Sequence, residues 1–224
     1  MNRLSSATLD RLPADVVRPA YDRAEVRCGV VHLGIGAFHR AHQAVIFDDA
    51  LNAGDLRWGI VGASLRSVQV RDQMAPQDGL YTMLVRDGVS EQARIIGAVQ
   101  RVIVAPEDPR ALLEALASPD THIVTLTVTE KGYKLDPATG ALIEDDPQLA
   151  ADIASLARPQ TAPGYLVAAL AMRKAAGLPS FTAISCDNLP HNGARLRGAV
   201  LDLARRHDPA LADWIAERGA FPQT

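Results

Sequence analysis

The stretch formed by residues 28–42 places the strongest constraint on what this chain can fold into. Its apolar run Val30–Leu33 predicts a buried strand, which the sequence Gly34-Ile35-Gly36 interrupts. From residue 38 the spacing of apolar residues becomes helical, and it predicts one helix that ends at about residue 53. A strand, a glycine turn and a helix in this order form the context in which Gly-x-Gly becomes a signal for dinucleotide binding.

Each part of such a turn has a physical role. The first glycine allows the tight turn, and the second lets a pyrophosphate approach the backbone; the start of the helix offers free N–H groups and a partial positive charge. The third glycine of the full fingerprint would stand at position 39, where this chain has His39. On pattern alone, a nucleotide site and an ordinary strand-to-helix turn are equally good interpretations.

The rest of the chain predicts an α/β fold, Rossmann-like and doubly wound, with a mostly parallel sheet and an antiparallel hairpin insertion. Asp87-Gly88 is a turn signal for that hairpin, between strands over 80–85 and 93–96.

Asn192 is expected to cap a helix. Residues 1–27 show little periodicity and are expected to form a lead-in to one domain over 28–224. Further strands are expected at 58–63, 99–104, 122–128 and 181–186, and helices at 106–117, 147–157, 163–176, 192–206 and 208–218.

Composition argues against several classes of protein. The chain has 224 residues, of which 48% are hydrophobic and 22% charged, as in an ordinary globular protein with one core. A net charge of -3 gives no reason to expect nucleic acid or a membrane as a partner. No apolar run approaches the roughly 18 residues of a membrane helix. Cys28 and Cys186 stand far apart, and with no signal-peptide pattern they predict reduced thiols in a cytoplasmic protein.

Several longer motifs occur in order along the chain, and together they resemble the mannitol dehydrogenase family. That family includes fructuronate reductase, mannitol 2-dehydrogenase and related polyol dehydrogenases, and the resemblance runs from about residue 28 to the end. The motifs are Val-His-Leu-Gly-Ile-Gly-Ala-Phe-His-Arg-Ala-His at 31–42, Ala-Pro-Gln-Asp-Gly-Leu-Tyr at 75–81, Leu-Thr-Val-Thr-Glu-Lys-Gly-Tyr at 126–133, Ser-Cys-Asp-Asn at 185–188 and Asp-Pro-Ala-Leu-Ala-Asp-Trp at 208–214, with Phe-Pro at 221–222.

The resemblance implies an oxidoreductase that transfers a hydride between NAD and a sugar acid or polyol. Fructuronate/mannonate is the first expected substrate pair and mannitol/fructose the second. In the family, asparagines help to form a polar pocket, and the position that matches here is Asn188, the expected catalytic residue. The family's acid/base is a lysine in a C-terminal domain.

That C-terminal domain is expected to be absent, because this chain ends at Thr224. The chain is therefore interpreted as the N-terminal part of such an enzyme, inactive alone, with the second domain expected to pack on it. The alternative is a stand-alone dinucleotide-binding module without chemistry of its own.

The cofactor is expected on the glycine stretch, at the tip of the second strand, and on the loop after residue 128. The tip has no carboxylate until Asp72, so Gln69 is a candidate for the ribose, and Arg66 with Ser67 for a 2′-phosphate. NAD is expected, with NADP left open. The expected cofactor-binding residues are Val31, His32, Leu33, Gly34, Ile35, Gly36, Ala37, Phe38, His39, Arg40, Ala41, His42, Arg66, Ser67, Gln69, Glu130 and Lys131.

Other kinds of active site lack their sequence signatures. The chain has no Gly-x-x-x-x-Gly-Lys-Ser/Thr phosphate loop, no Gly-x-Ser-x-Gly elbow and no Tyr-x-x-x-Lys pair. His32, His39 and His42 invite a metal interpretation, but no suitably spaced cysteine or carboxylate cluster accompanies them, so no metal is expected.

Overall fold

The computed structural model describes residues 3–136 and 138–224. Five strands form a parallel sheet, and β3 and β4 pair with each other as a separate antiparallel hairpin. The predicted fold class, with its mostly parallel sheet and hairpin insertion, is confirmed. The strands are β1 Val30–Leu33, β2 Ile60–Ser64, β3 Tyr81–Arg86, β4 Glu91–Ile96, β5 Val99–Val104, β6 Ile123–Leu126 and β7 Thr182–Ser185.

The order of strands in the parallel sheet, β5-β2-β1-β6-β7, places the first strand in the middle. From β1 the chain moves outwards through β2 to β5, and it then crosses to the other side of β1 and continues through β6 to β7. The direction of winding therefore reverses between β1 and β6. Open α/β sheets bind their ligands at this point, in the crevice outside the carboxyl ends of the strands.

The helical pattern after β1 is interrupted, and the expected single helix over 38–53 is wrong. It divides at His42, whose φ of -125° and ψ of -78° are not helical. The ring of His42 bonds the carbonyl oxygen of Phe38 at 2.9 Å, a local side-chain contact that competes with regular helix. The helices are α1 Ala37–Ala41, α2 Gln43–Asn52, α3 Gln69–Met74, α4 Pro109–Ala117, α5 Pro147–Ala154, α6 Ala162–Ala175, α7 Asn192–His207 and α8 Pro209–Arg218.

The N-terminal ends of two other helices differ from expectation. Helix α4 begins at Pro109 rather than at 106, because Asp108 is its N-cap and accepts the amide of Ala111 at 2.9 Å. Helix α7 has His191 as its N-cap, so the expected capping role of Asn192 is wrong. Asn192 is instead the first helical residue, and its side chain is buried.

Apolar side chains pack on both faces of the sheet. One face is covered by α4, α6, α7 and α8, and the first nine residues of α6 are buried. The other face is covered by α2 and by residues of the hairpin. This double cover explains why β1 is buried at every position and reads as a continuous apolar run. None of the helices in the described part of the chain has both the length and the apolar character needed to cross a bilayer.

The N-terminal residues lie against the hairpin and β5. Val17 pairs with Arg94 of β4, and the guanidinium of Arg23 donates to the carbonyl oxygens of Gly97 and Val99 at 3.0 Å each. These bonds attach the lead-in to the rest of the chain. Its division from the domain at residue 28 stays a prediction.

A buried carboxylate on α2, Asp48, joins the lead-in, the hairpin and the sheet. Its side chain is 1% exposed. It accepts hydrogen bonds from the hydroxyl of Tyr21 at 2.6 Å, the guanidinium of Arg94 at 2.7 Å and the amide of Gly97 at 2.9 Å. Removing the carboxylate would leave the buried amide of Gly97 without its acceptor and Arg94 with only the exposed Asp49.

We expect the substitution Asp48→Ala to lower the free energy of unfolding by about 3–5 kcal/mol, the usual cost of breaking a buried ion pair. The neighbouring Asp49 also bonds Arg94, but its side chain is 60% exposed, and Asp49→Ala should cost at most about 1 kcal/mol. Denaturant unfolding of both variants measures the difference. Equal losses would show that Asp48 does not join these elements.

Candidate functional site

The turn after β1 depends on glycine at position 34. Gly34 has a φ of +99°, in the left-handed region that favours glycine. A Cβ atom at this position would lie 2.2 Å from the carbonyl oxygen of Thr127, just beyond β6. The protein itself therefore requires the first glycine, because the backbones that follow β1 and β6 approach too closely for a side chain.

Gly36 differs from Gly34, because its conformation and its neighbours in the described structure would accept a side chain. Its φ of -85° is ordinary, and an added Cβ would meet only the carbonyl oxygen of Gly34, at 3.7 Å. In the described residues, no carbonyl accepts a hydrogen bond from the amides of Ala37, Phe38 or His39. These free donors beside open space suit an anionic group. Since α1 has only five residues, the amides contribute more than the helix dipole.

The position of the missing third glycine is occupied by an imidazole stack. His39 lies flat on His32 of β1, with ring centroids 3.5 Å apart and an angle of 11° between the planes. Both side chains are 0% exposed. A glycine at this place normally lets the helix pack closely on the strand. Here the two rings fill the space between them.

The hydrogen-bond network assigns a neutral tautomer to His32. The hydroxyl of Thr127 donates to the carbonyl oxygen of Gly34 at 2.8 Å, so it accepts from Nε2–H of His32 at 3.0 Å. Nδ1 of His32 then accepts from the hydroxyl of Thr125 at 2.7 Å. The ring of His32 thus connects β1 to two threonines at the end of β6.

His39 is assigned the other neutral tautomer. The thiol of Cys186 bonds the carbonyl oxygen of Ile184, so its sulfur accepts from Nε2 of Gln43 at 2.8 Å. The amide oxygen of Gln43 then accepts from Nδ1–H of His39 at 2.8 Å. Nε2 of His39 is left as a buried acceptor without a partner in the described part of the chain.

Burial keeps both imidazoles uncharged. It lowers the pKa of His39 to about 4, with a smaller opposing effect from the hydrogen bond to Gln43. Burial also lowers the pKa of His32 well below its usual value, and the nearby His39 adds to this shift. The stack is therefore neutral at pH 7, which avoids repulsion between two charged rings in contact.

The second wall of the crevice is formed by the chain after β6 and after β7. Thr129 has a φ of +65° and a ψ of +164°, a region almost restricted to glycine, at a cost of about 1–3 kcal/mol. Asp187 accepts hydrogen bonds from the amides of Val128 and Thr129, both at 3.0 Å, and from the hydroxyl of Tyr133 at 2.6 Å. The next residue, Asn188, is exposed.

The tip of β2 borders a cavity of about 370 Å³ at the carboxyl ends of β2 and β5. The hydroxyl of Ser64 accepts the amide of Ser67 at 3.0 Å and shapes the tip. Arg66, Ser67 and Gln69 are all exposed. No carboxylate lines the cavity among the residues described, and Arg158 adds a cation to its wall. The lining includes Leu65, Ala105, Pro106, Pro109, Arg158 and Tyr165.

The expected cofactor-binding residues fall into two groups. One group is buried in and after β1, so these side chains support the turn from beneath; it consists of Val31, His32, Leu33, Ile35 and His39. The other group lies at the surface on the carboxyl side of the sheet. It consists of Gly34, Gly36, Ala37, Phe38, Arg40, Ala41, His42, Arg66, Ser67, Gln69, Glu130 and Lys131, of which Gly34 and Arg40 are half-buried.

Sequence reasoning did not single out several residues that shape the crevice. Thr127 and Asp187 stand inside quoted motifs, close to the selected residues Glu130 and Asn188. No local sequence pattern predicts the hydrogen bonds that either residue makes. Gln43 follows the glycine stretch directly, at a helical spacing of four from His39, and that spacing is the only available signal.

The histidines of the crevice are not arranged as metal ligands. Stacked rings direct their nitrogen lone pairs in parallel planes rather than towards one point. Among residues 3–136 and 138–224, no group of three or more His, Cys, Asp or Glu side chains could hold a metal ion. Both cysteines, Cys28 and Cys186, are free thiols.

Comparison with known proteins gives a consistent family. Residues 28–224 match the family model described as the mannitol dehydrogenase Rossmann domain. The chain is 44% identical over 227 residues to mannitol 2-dehydrogenase of Phaeosphaeria nodorum, covering 99% of this chain and 39% of that protein.

Two solved structures are also similar. The ternary complex of Pseudomonas fluorescens mannitol 2-dehydrogenase with NAD and D-mannitol has a TM-score of 0.93 and 43% identity, covering 98% of this chain and 46% of that chain. A substrate-free D-sorbitol dehydrogenase has a TM-score of 0.92 and 38% identity, covering 99% and 46%. The chain thus spans less than half the length of each of these relatives.

The buried His39 should make stability depend on pH. Its folded pKa lies below the unfolded value of 6.5, so the unfolded chain binds more protons between pH 6.5 and about 4. His39 should therefore lower the free energy of unfolding by roughly 3 kcal/mol as the pH falls through that window. Unfolding of His39→Gln across this range should show a smaller fall, whereas the exposed His42→Gln should keep the wild-type slope. Identical slopes for His39→Gln and wild type would contradict a buried neutral His39.

Proposed function

The chain belongs to the mannitol dehydrogenase family, and from that premise we propose that it is the NAD-binding half of an oxidoreductase acting on a small polyol or sugar acid. The observation that carries this proposal is the open space next to the Cα of Gly36, beside the free amides of Ala37, Phe38 and His39. It lies where the winding of the sheet reverses, the place where such folds bind dinucleotides.

The residues present fit a dinucleotide. The free amides are donors for a pyrophosphate, and the absence of a side chain at Gly36 gives it access to the backbone. The cavity beside Leu65 and Pro106 lies on the side of the sheet that would receive the adenosine half. When bound, the nicotinamide supplies the site that accepts or returns a hydride.

We propose NAD as the cofactor, since a solved relative with a TM-score of 0.93 is a complex with NAD. The tip of β2 carries no carboxylate that would repel a 2′-phosphate, and Arg66 is exposed there. Discrimination against NADP is therefore expected to be weak.

For the substrate we propose a polyol with a secondary alcohol, such as mannitol, and its ketose. The names of the relatives support this order, since they are mannitol and sorbitol dehydrogenases. The sugar acid fructuronate, which the sequence motifs placed first, stays a prediction. In either pair the hydride would move between the nicotinamide and a single carbon, which is a secondary alcohol in mannitol or mannonate and a ketone in fructose or fructuronate.

Asn188 is proposed to orient the substrate oxygen. It is exposed directly after Asp187, beyond the carboxyl end of β7. An amide N–H in this place could polarise a carbonyl and stabilise the developing negative charge on its oxygen.

We assign the proton transfer to a second half of the protein. His39 is buried and has a pKa of about 4, so it is too weak a base at neutral pH. Lys131 is exposed beside Glu130. The relatives are more than twice as long as this chain, which supports a further domain that packs on this one and carries the acid/base.

The free thiols of Cys28 and Cys186 suit a reducing compartment, and we propose a cytoplasmic location.

The first test concerns cofactor binding. Calorimetric titration should detect weak binding of NAD by the 224-residue chain. Gly36→Val should reduce that affinity by at least about tenfold, because the new side chain would occupy the path of the pyrophosphate. Gly198→Val is the matched control, since a Cβ there meets no atom within 4 Å and Gly198 lies on α7. Equal affinities for the wild type and Gly36→Val would contradict this placement.

The second test concerns catalysis. We expect this chain alone to oxidise NADH with fructose or fructuronate at least about 10²-fold more slowly than a longer version continued through the family's second half, since acid–base assistance alone contributes about 10²–10⁴-fold. Activity in neither version would favour the stand-alone binding module. Full turnover by the short chain would place the acid/base here and direct attention to Lys131.

A further inference from the structure

We propose that the carboxylate of Asp187 is a positioning group, which holds the backbone turn at Val128–Thr129 in the shape that the nicotinamide half of the cofactor requires. This inference rests on the proposed function, because it assigns a role within the same crevice. Asp187 stands beside Asn188 but acts on the backbone of another strand's end.

The turn has a conformation that its own sequence does not favour. Thr129 is β-branched, yet its φ is +65° and its ψ is +164°. Such a conformation persists only where surrounding contacts determine it. The two amides that lead into the strained residue, those of Val128 and Thr129, each donate to one oxygen of the Asp187 carboxylate at 3.0 Å.

The carboxylate is itself fixed by a further contact. The hydroxyl of Tyr133 donates to it at 2.6 Å and bonds the hydroxyl of Ser185 at 2.7 Å. Tyr133 is fully buried, and burial raises the pKa of its hydroxyl, so this group stays a donor. The hydrogen bond from Tyr133 therefore fixes the carboxylate of Asp187 in the position where it accepts the two amides of the turn.

The location of the turn gives it a role in the crevice. Thr127, one residue before it, bonds the carbonyl oxygen of Gly34 through its hydroxyl, so the turn begins where β6 meets the glycine turn. A doubly wound fold has two mononucleotide-binding halves, and β6 begins the second. The pyrophosphate lies on the first half, so the turn at Val128–Thr129 borders the nicotinamide.

A purely structural role for Asp187 makes a different prediction from a positioning role. If Asp187 only stabilises the fold through Tyr133, its removal should not interact with the identity of residue 129. If it maintains a strained backbone, its removal should matter less when residue 129 is glycine, which adopts positive φ without strain. A double-mutant cycle separates the two.

The experiment measures NAD affinity by calorimetry for the wild type, Asp187→Ala, Thr129→Gly and the double variant, with denaturant unfolding in parallel. We expect Asp187→Ala to weaken NAD binding by about tenfold or more, and the same change in the Thr129→Gly background to weaken it by no more than about threefold. Asp187→Asn, which keeps one acceptor oxygen, should give an intermediate loss and serves if the alanine variant does not fold.

The matched control is Asp48→Asn, since Asp48 is also a carboxylate that accepts a hydrogen bond from a backbone amide, but its partner Gly97 precedes β5, at the amino end of the sheet. It should lower stability without changing NAD affinity. Equal losses of affinity in the two residue-129 backgrounds, or no loss with Asp187→Asn, would overturn the role assigned to Asp187. The proposed function would remain intact in that case, provided that the wild-type chain binds NAD. A wild-type chain that binds no NAD would overturn both.

Discussion

The rest of the crevice depends on the close approach of Gly34 to Thr127. A Cβ at Gly34 would lie 2.2 Å from the carbonyl oxygen of Thr127, so β1 and β6 meet with no side chain between them. This contact occurs where the winding of the sheet reverses. It keeps the ends of the two strands together, while the chains that follow them, towards Gly36 and towards Thr129, diverge. The open space between these two chains is the proposed cofactor site, and the close contact of Gly34 with Thr127 lies beneath it.

A neutral polar network supports this contact from below. The rings of His32 and His39 stack at 3.5 Å, and their other partners reach Thr125 on β6 and, through Gln43, Cys186 beyond β7. Two helices and three strand ends are thus connected without a buried charge. Such a network favours one geometry, because every donor in it has an acceptor; among its buried atoms in the described part of the chain, Nε2 of His39 has no partner. His39 thereby stands where the third glycine of the full fingerprint would be.

The sequence predicted the strands and the glycine turn well, because apolar runs and glycines are local signals, whereas the set of residues that binds the cofactor stays a prediction. It predicted neither the break at His42, since the apolar spacing continues across it, nor the strained Thr129, since threonine gives no sign of positive φ. The stack of His39 on His32 depends on a contact between a strand and a helix that no pattern reports. The sequence pattern indicates Asn188 rather than Asp187, because the hydrogen bonds of Asp187 join it to residues about 59 positions away. These residues stand within the family motifs, but only the structure shows the contacts that each of them makes.

The most direct measurement of the central claim is a two-dimensional amide NMR spectrum of the chain, recorded with and without NAD. If the crevice between β1 and β6 receives the cofactor, the largest shifts should fall on Gly36, on the free amides of residues 37–39, and on Val128 and Thr129. Residues around the separate cavity lined by Asp22, Arg23 and Arg101 should not shift. Shifts concentrated at that cavity, with residues 36–39 unchanged, would contradict the account.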